Sequence, residues 1–176
     1  MNDDLKILSA TVSPPEPVSE EDAERHVRER LHVLVEVKNE GVAPLHVWSD
    51  RRGYDFDVAR GVLSLQLAEL SEELPPGIEM ISDHPRVPSH VIIEPGAEAT
   101  IDVPVPTTVR HRTPGGGMGM SFAEESIDRI RRILISIQYA DVPFQAIIGE
   151  SPADMRVRLR EHGAIARKTV SVRDRR

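Results

Sequence analysis

The chain has 176 residues, 39 % of them apolar and only 3 % aromatic, with a net charge of −7. That length allows one domain with a sizeable core, and the acidic balance argues against general nucleic-acid binding. Cysteine is absent, which excludes a disulfide framework, a thiolate metal site and a cysteine nucleophile. The N-terminal stretch MNDDLKILSA carries acids where a signal peptide carries bases, and no run approaches the roughly 20 apolar residues of a membrane span. The expected setting is the cytoplasm, with no membrane or nucleic-acid partner. A core built almost without aromatics must use Val, Ile and Leu, which favours sheet. The 14 prolines and 11 glycines are spread along the chain, as short strands joined by turns require.

In chain order, Leu5, Ile7, Ala10 and Val12 suggest a first strand that ends at Pro14-Pro15. Glu16 to Glu29 is acidic and polar and reads as a loop; Ser19-Glu20-Glu21-Asp22 resembles a capping box for one helical turn. Leu31, Val33, Val35 and Val37 alternate with polar residues, the period of a strand with one buried face. Leu34 breaks the alternation, so the second face is expected to be partly covered. Asn39-Glu40-Gly41 supplies turn chemistry through tolerance of positive φ. Leu45 and Val47 resume the pattern in a strand ending at Trp48.

Tyr54, Phe56 and Val58, then Leu63, Leu65 and Leu67, predict a hairpin with its turn near Ala59. Glu69 to Pro76 is expected to be a loop. Ile78 to Ile81 and Val91 to Ile93 are short strands or edges on either side of an irregular, proline-containing segment. In Glu94-Pro95-Gly96-Ala97, Pro presets φ at the second turn position and Gly takes positive φ at the third. Ala97 to Val105 then alternates more clearly than any other segment. Four glycines within Gly115 to Gly119 predict a mobile loop. Glu124 to Arg132 reads as one or two helical turns, with Ile127 and Ile130 on one side. Ile133, Ile135, Ile137 and Tyr139 form a late strand, which Phe144 to Ile148 would continue in the sheet. Ser151-Pro152-Ala153-Asp154 has an N-cap, a proline at the first helical position and an acid in the first turn. Gly163 is the stop, and Ala164 to Val172 is a last strand. From Ser151 to Arg176 eight basic residues face three acidic ones, which makes this segment a second docking candidate.

The expected fold is all-β: an antiparallel β-sandwich of about seven or eight strands with one short C-terminal helix. A barrel is the alternative. Residues 1–150 form the sandwich domain, and 151–176 the helix and Arg-rich extension belonging to it. The runs VEVKNEGVAPLHV, IIEPGAEATIDVPV and ILISIQYADVPF resemble bacterial immunoglobulin-like sandwich domains, including those related to cell-adhesion modules. The resemblance spans Leu31 to Phe144. It implies an immunoglobulin-like fold and carries over no catalytic residue.

The candidate interaction site is Trp48, Arg51, Arg52, Tyr54 and Phe56, because Trp, Tyr and Arg are the residues enriched at binding hot spots. The plainer reading lets Trp48 and Phe56 fill the space between the sheets. A candidate Zn²⁺ site is Asp83, His84, His90 and His111, if their loops meet at one end of the fold. Asp50, Asp55 and Asp57 offer oxygen ligands for Ca²⁺, although Arg51 and Arg52 would more simply pair with them. There is no nucleophile elbow, and the glycine run lacks the Lys-Ser or Lys-Thr of a phosphate loop. The leading expectation is a non-enzymatic module without cofactor that binds another protein or itself. The alternative is a metal-dependent hydrolase or small-ligand binder using the His/Asp set.

Overall fold

The computed structural model describes residues 3–20, 27–70, 85–113 and 121–172. Its elements are β1 (Leu5–Val12), β2 (Glu16–Pro17), β3 (Glu29–Asn39), β4 (Leu45–Trp48), β5 (Gly53–Asp57), β6 (Val62–Leu67), β7 (His90–Ile93), β8 (Glu98–Pro106), β9 (Thr108–Thr113), β10 (Ser121–Ser126), β11 (Arg132–Ala140), α1 (Pro152–Glu161) and β12 (Ala164–Ser171). The fold is all-β with one short helix. Among the described residues no helix is long and apolar enough to cross a membrane.

β3 is the axis of the first sheet. β8 runs antiparallel along one edge, from Arg30↔Pro106 to Lys38↔Glu98. The other edge is shared: β1 covers Val33 to Asn39, and β2 covers Glu29 and Arg30. The break between β1 and β2 contains Pro14-Pro15, which cannot donate to the ladder. β11 is the axis of the second sheet. β12 lies antiparallel along its whole length, while β6 lies parallel to it from Arg132↔Val62 to Ile137↔Leu67. β4 takes over from β6 at Tyr139↔Val47, β7 pairs with β4, and β5 pairs with β6. β9 and β10 form a separate two-stranded ribbon.

The two sheets share one apolar core. Val33, Val35 and Val37 of β3 and Val103 and Val105 of β8 pack in one cluster with Leu63, Leu65 and Leu67 of β6 and Ile133, Ile135 and Ile137 of β11. The aliphatic composition thus appears as strand faces of period two. β11 is also buried on its reverse face, at Ser136 and Gln138. There α1 covers the sheet, and Trp48, Phe144 and Leu159 form a second, smaller cluster with Met155 against it. Phe56 fills the space between the sheets as the plainer reading has it, but Trp48 lies under the helix instead.

The helix forms as its end signals dictate. Ser151 caps it, its Oγ accepting from the Asp154 N–H at 3.1 Å, and Pro152 occupies the first turn. Gly163 follows with φ +73°. The turn at Glu94 to Ala97 also forms as expected, with Gly96 at φ +77° and the Ala97 N–H donating to the Glu94 carbonyl. Asn39 acts differently from expectation. It works through its buried side chain: Oδ1 accepts from the Gly41 N–H, while Nδ2 donates to the carbonyls of Ala43 and Ile93. The turn is held by an amide, not by a positive φ at either residue.

Several expectations are corrected. The first residues of the segment read as helical turns belong instead to strand β10, which pairs with β9 from Ser121↔Thr113 to Ser126↔Thr108; no helix occurs from there to Arg132. Phe144 to Ile148 does not continue the sheet. Phe144 turns under α1, and the Glu150 N–H donates to the Ile147 carbonyl in a turn. The polar stretch after Pro15 contains the two-residue β2. There are more strands than the expected seven or eight, and β6–β11 is a parallel pair within an otherwise antiparallel arrangement. The expected edge at Ile78 to Ile81, the glycine run at Gly115 to Met120 and part of the Ser19 capping box lie outside the described residues.

Candidate binding cleft

The chain leaves β4 through Ser49-Asp50-Arg51-Arg52 and enters β5 at Gly53. This connection lies where the two sheets meet at one end of the fold. The Ser49 N–H donates to the Ser89 carbonyl at 2.9 Å, and the Arg52 N–H to the Gln66 carbonyl at 2.7 Å. The adjacent arginines have different roles. Arg52 is almost wholly buried, its side chain 7 % exposed. Its guanidinium lies 5.3 Å from the centre of the Trp48 ring. It donates to Asp50 Oδ2 at 3.2 Å, to Glu69 Oε2 at 3.1 and 3.2 Å, and to the Arg86 carbonyl at 3.0 Å. Arg52 therefore ties three segments together and is a structural clamp.

Arg51 turns the other way. It donates to the Pro104 carbonyl at 2.6 Å, and its guanidinium lies 4.8 Å from the centre of the Tyr54 ring. Tyr54 in turn donates to the Thr108 carbonyl at 3.0 Å, joining β5 to β9. Arg51 lines a cleft of about 360 Å³ together with Arg30, from the start of β3, and Arg86, from the segment before β7. Ser49, Asp50 and Ser89 supply its neutral and acidic polar wall, and Val18, Val27, Pro104 and Pro106 its apolar wall. Asp50 Oδ1 is buried with no hydrogen-bond donor, although Oδ2 is held by Arg52.

Of the five expected interaction residues, the structure brings Arg51 to the cleft and packs Tyr54 beside it. Arg52 lies behind the cleft wall. Trp48 and Phe56 are buried in two different apolar clusters. Arg30, Arg86 and Asp50 were not among the five. Nothing local marks Arg30 and Arg86, which reach the cleft from elsewhere in the chain, whereas Asp50, next to Arg51, stands in the sequence only among the calcium candidates.

The expected metal set is not brought together by anything described. Asp83 and His84 lie outside the described residues, as does the side chain of His111, whose backbone belongs to β9. His90, on β7, has its ring 4.9 Å from that of His46, on the neighbouring β4. Burial, and then the neighbouring His90, push the His46 pKa below the ordinary imidazole value; Nδ1 of His46 is buried without a partner. Among the described residues no group of three His, Asp or Glu side chains is placed to hold a metal ion. The three calcium candidates are engaged separately. Asp50 pairs with Arg52, Asp55 accepts from the Phe56 N–H, and Asp57 accepts from the Arg60 N–H.

A different histidine is held by carboxylates. His32 Nδ1 lies 2.7 Å from Asp102, and Nε2 lies 2.7 Å from Glu16. These contacts, Asp102 foremost, raise the His32 pKa despite partial desolvation. With an acceptor on each ring nitrogen, the imidazolium is the form that satisfies both.

At the far end of β3 a wider and shallower hollow is rimmed by Asp4, Glu40 and Asp141. Arg30 and Glu40 are ten residues apart along an extended strand, about 33 Å. Comparison of the chain with protein-family models, with curated proteins and with solved structures gives no match.

Proposed function

We propose that this chain is a non-enzymatic protein-interaction module, an immunoglobulin-like β-sandwich that binds through its end loops. One observation carries the reading: Arg30, Arg51 and Arg86, from three separate elements, line one cleft where the two sheets meet. Arginine on a partly apolar, concave surface is a recurrent anchor of protein recognition. The immunoglobulin-like assignment is supported by the antiparallel β1–β3–β8 sheet sharing a core with a second sheet built on β11. The parallel β6–β11 pair is a departure from a purely antiparallel pattern.

A photo-cross-linking residue in place of Ser89, on the cleft wall, tests the reading in the native host. It should trap a discrete protein adduct that the same residue in place of Thr169, on β12, does not. No cleft-specific adduct, together with a tightly bound metal in the purified protein, would return the case to the metal-dependent alternative.

A further inference from the structure

We propose that His32 is a pH-sensitive latch: its proton fastens the short strand β2 to the first sheet, and loss of that proton releases β2. The device goes beyond the interaction reading above and stands on the geometry of three strands. Leu31 and Val33 are buried in the core, so His32 between them projects from the opposite face of β3. Its Nδ1 lies 2.7 Å from Asp102 of β8, and its Nε2 lies 2.7 Å from Glu16 of β2. One ring thus spans three strands. Two ring nitrogens that each face a carboxylate need two N–H groups, and only the imidazolium has both. Among the described residues, Asp102 and Glu16 are the charges that hold the proton on His32. Ser13, from the segment between β1 and β2, offers an uncharged hydroxyl that accepts the His32 main-chain N–H. Arg30 stands opposite Glu16 in the β2–β3 register. Its charge is the same at every working pH, so the pH-dependent part of the fastening belongs to His32.

The strands differ in which of them can let go. β8 pairs with β3 along its whole length, from Arg30↔Pro106 to Lys38↔Glu98, so Asp102 stays in place. β2 has only two residues, Glu16 and Pro17. Pro17 has no N–H, and Pro14-Pro15 before it donate nothing to the ladder. The Val18 N–H, which donates to the Arg28 carbonyl at 3.0 Å, closes this short pairing. A neutral His32 has one N–H for two acceptors. It keeps that N–H on Asp102 and turns a lone pair toward Glu16, which replaces attraction by repulsion. The fastening is therefore complete below the ordinary imidazole value of about 6.5 and is lost as pH rises through the raised value of the folded protein. Val18 follows β2 directly and lines the cleft, so release of β2 moves part of the cleft wall.

The test is amide hydrogen exchange of the intact protein, read by NMR from about pH 6 to about pH 8.5. Each rate is divided by the intrinsic rate of that amide at the same pH. Protection of the Val18 N–H should fall by about threefold to fivefold as pH rises, a modest change because the carboxylates are half-exposed. The Val35 N–H, in the middle of β3, should keep its protection. His32→Gln should leave Val18 weakly protected at every pH. Glu16→Gln should do the same and keeps the test valid if His32→Gln perturbs β3. Asp102→Asn should move the change to lower pH, because its charge no longer holds the proton. A flat profile in the parent protein would overturn the latch, as would an undiminished fall in His32→Gln or Glu16→Gln. Equal loss of protection at Val18 and Val35 would also overturn it, since the whole sheet would then be loosening.

Discussion

The side-chain amide of Gln138 donates to the main-chain carbonyl of Leu159, joining the central strand of one sheet to the end of the helix that covers it. The same Nε2 donates to the His162 carbonyl at 2.7 Å, and Oε1 accepts from the Glu69 N–H at 2.9 Å. The last carbonyls of a helix have no partner within it. Here a fully buried glutamine supplies one. Replacing Gln138 with Met, similar in volume, should leave three main-chain groups without that partner. The expected loss is about 2–4 kcal/mol, measured by denaturant unfolding. A loss within about 0.5 kcal/mol would mean that the helix is held by its apolar face alone.

Gly163 and Gly96 share a left-handed backbone but not a neighbourhood. A Cβ at Gly163 would lie 2.0 Å from the Tyr139 carbonyl oxygen, whereas one at Gly96 would meet nothing within 4 Å. Gly96→Ala should therefore cost only the conformational term, about 1 kcal/mol. Gly163→Ala must also push β12 away from β11 and should cost at least about 3 kcal/mol. Parallel melts of the two variants check this, and equal losses would contradict it.

The parts of the fold legible in the sequence are those whose signals are local. Val33, Val35 and Val37 declare a strand by alternation, and Ser151, Pro152 and Gly163 declare a helix by its ends. Around Glu124 the spacing of Ile127 and Ile130, three apart, suggests helical turns. What decides it is pairing with β9, a partner whose sequence TVRHRT carries no apolar alternation. The parallel register of β6 on β11 depends on the path of the chain between them, which no window of residues encodes. Neither reading of Trp48, as an interaction residue or as filling between the sheets, anticipates its place under the helix, because strand alternation does not say which face a helix will cover. The candidate cleft was half legible. Arg51 lies among the aromatics that drew attention to it, but Arg30 and Arg86 reach the same place from elsewhere in the chain.

Two histidines should give the stability opposite pH dependences. His32 has a raised pKa in the folded state. Its contribution is fully present below the unfolded value near 6.5 and is lost as pH rises through the folded value. His46 has a lowered pKa, so its contribution is present above the unfolded value and is lost as pH falls through the folded one. His32→Gln should therefore cost more at about pH 5.5 than at about pH 8.5, and His46→Gln should flatten the acid side of the stability profile. Asp102 and Glu16 are more than half exposed, so the His32 effect should shrink with added salt. Denaturant midpoints of both variants across pH decide the matter; a His32 effect that grows with pH would refute the imidazolium bridge.

Arg51 and Arg52 offer the sharpest separation between binding and folding. They are adjacent in sequence and similar in charge, yet Arg52 is buried against Trp48 between two carboxylates and Arg51 lines the cleft. Arg52→Ala removes the counter-charge of both Asp50 and Glu69 and should destabilise the protein by about 2 kcal/mol. Arg51→Ala loses, among its contacts, the hydrogen bond to the Pro104 carbonyl and the Tyr54 ring contact, and should cost less than Arg52→Ala. Binding should respond in the reverse order: at a temperature where both variants are folded, Arg51→Ala lowers the yield of the Ser89 cross-link more than Arg52→Ala. Unfolding curves and cross-link yields for the same two variants read both quantities. If Arg52→Ala proved the weaker binder while still folded, the cation that meets the ligand would be the buried one, and the division of labour drawn here would be reversed.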